Sequence, residues 1–165
     1  MKIAIVYFSG TGNTEKVLKE FESFFKIQNN EVKMIKIESG EYIPTDIDIL
    51  IIGYPVHAFN APKIVLDYFN NISFFKEGLP TYIVKTSGEG LTLNNGSSNK
   101  LTSILKNKGI TIFNEYHYLM PYNIIFRHSD KMAYKMWKTV LELIPLDAKE
   151  ILDKKRIVIK YSLGT

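Results

Sequence analysis

The sequence predicts an α/β protein built on a doubly wound, five-stranded parallel sheet with helices on both faces. Three observations lead there. Short apolar runs rich in β-branched residues alternate with stretches whose apolar residues recur at helical spacing. Runs that are apolar throughout belong to strands covered on both faces, the usual arrangement of a parallel sheet. The loops after the first, third and fourth strands are the three most unusual in composition, and right-handed crossovers gather those loops at one carboxyl edge.

The elements follow in order. Ile3 to Phe8 is the first strand, unbroken and largely β-branched or aromatic. From Thr14 the period changes, and Val17, Leu18, Phe21, Phe24 and Phe25 mark one face of an amphipathic helix that ends at Asn29-Asn30. Val32 to Ile37 alternates as a second strand, and Ile47 to Gly53, the most hydrophobic run, is the third. No helix is evident between them. Pro62 sits well in the first turn of a helix with Ile64, Val65, Tyr68 and Phe69 on its inner face. Tyr82-Ile83-Val84 is the fourth strand. After a polar loop, Ser97 or Ser98 is placed to cap a helix with Leu101, Ile104 and Leu105 inside, closed by Gly109. Ile110 to Phe113 opens the fifth strand, with a polar-aromatic stretch on to Met120. A helix over about Asp130–Leu143, a short piece around Ala148–Lys154 after Pro145, and an ambiguous Ile157-Val158-Ile159 complete the chain.

Composition narrows the function classes. At 165 residues, with 45% hydrophobic and 23% charged side chains, the expectation is one globular domain over 1–165. There is no cysteine, which excludes disulfides, thiolate metal sites, iron–sulfur clusters and cysteine nucleophiles from these residues. The net charge of +4 is too small to suggest a nucleic-acid protein, and no Lys/Arg run exceeds Lys154-Lys155-Arg156. The charge is uneven. Residues 1–99 hold nine Lys against eleven acids, whereas residues 100–165 hold ten Lys and two Arg against six acids. No apolar run has the length of a signal-peptide core or a membrane span, so a cytoplasmic protein with no membrane association is expected.

The first loop carries the most specific chemistry. Ser9-Gly10-Thr11-Gly12-Asn13-Thr14 lies between a buried strand and a helix N-terminus. Two glycines let successive N–H groups turn inward, three hydroxyls and an amide add donors, and the helix end adds positive potential. Together they suit a phosphate monoester. The better-known phosphate loops do not fit. Both the P-loop and the GxGxxG turn, started at Gly10, require glycine where Glu15 stands, and the P-loop also needs a hydroxyl at Val17.

Ser9 to Thr14 at the end of the first strand resembles the flavodoxin phosphate-binding signature, with Ser at a position where Thr is common. The stretch Gly53-Tyr54-Pro55-Val56-His57-Ala58-Phe59-Asn60-Ala61-Pro62 is similar to the flavin loop that follows it. With Lys85-Thr86-Ser87-Gly88-Glu89-Gly90 and Met120-Pro121-Tyr122-Asn123, it most resembles the flavodoxin half of flavodoxin–ferredoxin fusion proteins of anaerobes. The resemblance covers roughly residues 1–125 and implies strand order 2-1-3-4-5 and FMN as cofactor. Fusion members continue into a cysteine-bearing module with two iron–sulfur clusters. This sequence is therefore that of a stand-alone relative or of part of such a fusion.

On this reading Ser9, Gly10, Thr11, Gly12, Asn13 and Thr14 hold the phosphate. Tyr54, Pro55, Val56 and Phe59 cover the ring, with His57, Ala58 and Asn60 beside them, Asn60 being the better suited to a left-handed backbone. Thr86, Ser87, Gly88, Glu89 and Gly90 offer backbone donors to the pyrimidine edge; no tyrosine for stacking appears there before Tyr116. His117 and His128 are not at metal-ligand spacing, and Trp137 reads as core. The implied function is electron transfer, one or two electrons at a time, with redox proteins as partners, a ferredoxin or an iron–sulfur module among them. An NAD(P)H-dependent FMN or quinone reductase on the same cofactor is the alternative.

Overall fold

The computed structural model describes residues 1–73, 76–121 and 127–157. Five strands form one parallel sheet in the order β2-β1-β3-β4-β5: β1 (Lys2–Tyr7), β2 (Glu31–Lys36), β3 (Ile49–Pro55), β4 (Thr81–Ser87) and β5 (Ile112–Leu119). Three helices connect strands, α1 (Asn13–Ile27), α2 (Lys63–Asn71) and α3 (Asn99–Asn107), and a fourth, α4 (Asp130–Leu152), follows β5. Between β2 and β3 there is only a 3₁₀ turn, Ile37–Ser39, so the missing crossover helix of the sequence is real.

The sheet is buried on both faces because its strands send alternate side chains each way. Ile3, Ile5 and Tyr7 of β1 face α1 and α4, while Ala4 and Val6 face α2 and α3. α1 brings Val17, Leu18, Phe21 and Phe25 down on the first face. It ends at Asn29, whose φ of 59° lets the Asn30 N–H reach back to the Phe25 carbonyl at 3.0 Å. α3 closes the same way at Gly109, φ 80°, with Ile110 N–H on the Leu105 carbonyl.

α1 can lie close to the sheet because β3 has glycine beneath it. A Cβ built at Gly53 would run into the Leu18 side chain. This contact sets the height of α1, and therefore of its N-terminus, above the carboxyl edge.

Three expectations need correction. Ile64 points to solvent, and α2 buries Val65 and Phe69 with Tyr68 half-covered. The tail is one 23-residue helix that runs through Pro145. Proline removes the bond to the Leu141 carbonyl, but both residues are on the exposed side, where the freed oxygen is open to solvent. The buried face Val140, Ile144, Ala148 and Ile151 continues across it, whereas Met132, Tyr134 and Leu141 are exposed. Finally, Ser98 occupies the N-cap position of α3 but makes no capping bond. Of the last apolar run, Ile157 donates its N–H to the Phe113 carbonyl at 2.9 Å, while Val158 and Ile159 lie outside the described residues.

Gly53→Ala is expected to destabilise the protein by about 1–3 kcal/mol through overpacking against Leu18. Urea denaturation measures it; a neutral substitution would show that α1 is free to lift.

Candidate functional site

α1 begins abruptly. Gly12, in the left-handed region at φ 91°, is its N-cap, and no side chain caps it there. The first helical bond runs from Lys16 N–H to the Gly12 carbonyl at 2.9 Å, and the Glu15 N–H is taken by Ser9 Oγ at 3.2 Å. Among the described residues, no acceptor takes the N–H groups of Gly10, Gly12, Asn13 or Thr14. These amides, with the helix dipole behind them, are an anion-binding arrangement. Ser9 is committed inside the loop, where it fixes the first turn.

The loop lines one side of a cleft of about 320 Å³ at the carboxyl edge, within the range of small-molecule sites. Ser9, Gly10, Thr11, Asn13 and Thr14 meet Pro55, Val56 and His57 there, and Thr86, Ser87 and Gly88 complete the far side. The three loops singled out by composition thus converge on one cavity. Met120 and Pro121, which the sequence offers as lining of the same edge but slightly favours as a strand-ending turn, also line it. Their signal was available, since a fifth parallel strand must end at the same edge. The Asn13 amide donates to the Pro121 carbonyl at 2.9 Å and ties that segment to the Ser9–Thr14 loop. Tyr122 and Asn123 lie outside the described residues.

The loops are cross-braced. Thr14 and Thr86 hydroxyls meet at 2.8 Å in the buried floor, and Val56 N–H donates to the Thr86 carbonyl at 2.8 Å. His57 and Asn60 exchange both backbone bonds at 2.9 Å, closing a tight turn. Its central residues, Ala58 and Phe59, have φ of 45° and 61°. The left-handed positions are therefore Ala58 and Phe59 rather than Asn60, and neither is the glycine such a turn prefers. The Asn60 side chain instead donates to the Ala58 carbonyl at 3.1 Å. Ala58 and Phe59 stand exposed at the turn's tip, and the Tyr54 ring is buried among the residues facing α2 and α3, away from the cleft. Glu89 and Gly90 follow Gly88 outside the lining, Glu89 accepting a bond from Ser87 Oγ at its carbonyl.

Charge in the cleft is sparse. No cation belongs to the Ser9–Thr14 loop, and the Lys16 ammonium lies 3.9 Å over the Trp137 ring. Glu15, in the first turn, is paired with Lys19 at 3.2 Å and Lys36 at 3.6 Å.

Beneath the cleft, on the α2/α3 face, lies a polar cluster that sequence reasoning missed. Lys85 Nζ donates to Glu115 at 2.9 Å and to the Asn94 carbonyl at 3.3 Å, with both charged side chains nearly inaccessible to solvent. The other Glu115 oxygen takes the Ser98 hydroxyl, which explains why Ser98 does not cap α3. Ser87 Oγ donates to the Glu89 carbonyl at 3.0 Å, so it accepts from His117 Nε2 at 2.7 Å. Burial, with the Lys85 charge adding to it, pushes His117 down to about 4. The Ala61 N–H, donating to the Ser97 carbonyl at 2.9 Å, joins this cluster to the turn at residues 57–60.

A second, larger groove of about 590 Å³ separates α3 from β5. It is lined by Lys106, Thr111, Phe113 and Arg156, among others, and none of the glycine-bearing loops reaches it.

No family model matches the chain, and no curated protein matches it in sequence. Solved structures do match it in fold. A short-chain flavodoxin associated with a bacterial microcompartment superposes with TM-score 0.67 at 17% identity, covering 93% of this chain and 97% of that one. Two-electron reduced flavodoxin of Megasphaera elsdenii gives 0.62 at 20% identity, covering 89% and 98%. An azoreductase from Bacillus anthracis gives 0.63 at 13% identity, covering 91% and 99%. The fold is flavodoxin-like.

Lys85→Met is expected to cost about 3–5 kcal/mol, because it leaves the Glu115 charge buried and unpaired. Lys85→Met/Glu115→Gln keeps an acceptor for Ser98 without a charge and should recover part of that loss in urea melts. A double variant less stable than the single one would contradict the pairing. His117 titrates lower in the folded chain than its unfolded value of 6.5. Its neutral form therefore supports folding above about pH 6.5, and that support drains away as pH falls toward 4. His117→Gln should flatten the stability profile in this window, and an unchanged slope would refute the assignment.

Proposed function

We propose that this chain is an FMN-binding electron-transfer protein, cytoplasmic and of one domain, that passes one or two electrons between redox protein partners. The observation that carries the reading is the convergence of three loops on one cleft, with the unaccepted amides of an uncapped helix N-terminus at its side. A phosphate monoester fits that donor set. The amides of Gly10, Gly12, Asn13 and Thr14 would hold it, while Thr14 and Thr86 brace the floor beneath it. The dipole of α1 supplies the positive potential that no loop cation provides.

Pro55, Val56 and His57 on one side and Ser87 and Gly88 on the other would flank a planar ring. Met120, buried at the cleft wall, excludes water from its inner edge. Bound FMN would supply the redox chemistry, so no side chain is required as an acid or base. The chain's task is then to orient the ring and to set its exposure. The likeness of the loops to the flavodoxin half of ferredoxin fusions supports a ferredoxin or an iron–sulfur module as partner.

A second reading is an NAD(P)H-dependent FMN or quinone reductase. It is favoured by the azoreductase among the structural neighbours and by the second loop, which carries no tyrosine to close the ring's outer face.

Titration with FMN is expected to saturate at one equivalent and to raise the melting temperature. Riboflavin, lacking the phosphate, should bind roughly tenfold or more weakly, about 1.4 kcal/mol. Equal affinities would move the phosphate out of the loop, and failure to bind either would refute the reading. Stopped-flow mixing of the FMN-loaded protein with NADPH then divides the two roles: a carrier is reduced slowly, a reductase within its turnover time.

A further inference from the structure

The cleft does not use the chain's excess positive charge. Ten Lys and two Arg stand against six acids in residues 100–165, and part of that excess lies beside the site. Lys131, Lys135 and Lys138 fall at i, i+4 and i+7 of α4 and so share one face. All three are exposed, and no described carboxylate pairs with any of them. The one acid in the same turns, Asp130, is met by Arg127 at 3.5 Å. Met132 and Tyr134 open to solvent in those turns, 49% and 68% exposed.

The position of these turns is set by two contacts. Lys16, the fourth residue of α1, lies against Trp137, the eighth of α4. Tyr118 and Tyr116 of β5 bond to Asp147 and Glu150, so α4, like α1, runs back from the carboxyl edge. α4 therefore overshoots the start of α1 by four residues, about 6 Å. Because α1 starts at the cleft, the first turn of α4, with Lys131 and Met132, stands beyond that start, and Tyr134, Lys135 and Lys138 continue the exposed surface alongside the first turns of α1.

We propose that this exposed surface over the first turns of α4 is the docking face for an acidic redox protein. The proposal rests on the electron-transfer reading and names the chemistry of its partner. Charge complementarity selects the occupant: three exposed cations against one carboxylate on the same face, Glu142 a turn beyond Lys138, attract an acidic surface and repel a basic one. The exposed Met132 and Tyr134 supply the apolar contact that protein interfaces place inside a polar rim.

The test uses the FMN-saturated full chain, with an acidic ferredoxin, the basic cytochrome c and vesicles of phosphatidylglycerol and phosphatidylcholine as probes. Calorimetry at low and high salt reads binding, and visible absorbance reads flavin occupancy on the same samples. Expected is binding of the ferredoxin that weakens with salt and exceeds that of cytochrome c. Lys131→Glu/Lys135→Glu should weaken it roughly tenfold or more at low salt. The first of these places an acid in the opening turn of α4, where the helix dipole tolerates it, so the fold is kept. Lys154→Glu, beyond the far end of α4, should leave binding unchanged. Equal ferredoxin binding by the double variant, preference for cytochrome c, or binding to the vesicles alone would each overturn the proposal. Normal flavin occupancy without docking sinks this inference alone; docking without flavin sinks the cofactor reading instead.

Discussion

Lys85 and Glu115 face each other beneath the carboxyl edge with almost no access to water. Placing two charges there costs several kcal/mol per ion unless each is fully satisfied, and here the surrounding groups do so. Glu115 takes Lys85 and Ser98, Lys85 also reaches the Asn94 carbonyl, and Ser87 bridges His117 and Asn94. The pair thereby anchors β4 to β5 and pins the segment from Ser87 to Ser98 over both. Since Ala61 hangs from Ser97, the turn at residues 57–60 inherits its position from the same cluster. Two of the three walls of the cleft depend on one ion pair that does not enter it.

The third wall depends on packing. Gly53 admits Leu18, so α1 settles low on β3 and presents its first amides at the sheet's edge. Thr14 then reaches Thr86 across the floor, and the packed and polar halves of the site meet at that hydroxyl pair. An arrangement of this kind favours an anion held by backbone dipoles over one held by a mobile lysine, because the amides need no reorganisation when it arrives. The lysines are left for the outer face.

Much of this was legible in the sequence. The alternation of apolar runs with helical spacing is a local property, and it placed the sheet, its winding and the three loops. The Ser9–Thr14 loop stood out because glycine, hydroxyl and helix start are contiguous there. Contacts that depend on register were not readable. Lys85 pairs in the sheet with His117, and its charge partner Glu115 sits two residues earlier; the offset includes a bulge at Thr81/Tyr82 that no pattern announces. The turn at His57–Asn60 placed its strain on Ala58 and Phe59 because the two-way bonding of its ends outweighs residue preference. Pro145 misled for a different reason. Its penalty is small where the freed carbonyl faces water, and the buried spacing of Val140, Ile144, Ala148 and Ile151 was the signal that overrode it.

The central claim is that one cleft, and not the larger groove between α3 and β5, takes a flavin phosphate. Backbone amide shifts of the isotope-labelled protein during FMN titration test it most directly. The account predicts that the largest changes fall on Gly10, Gly12, Asn13, His57 and Gly88, and that Lys106, Thr111 and Phe113 stay unmoved. Changes centred on Lys106, Thr111 and Phe113, or spread without saturation, would contradict it.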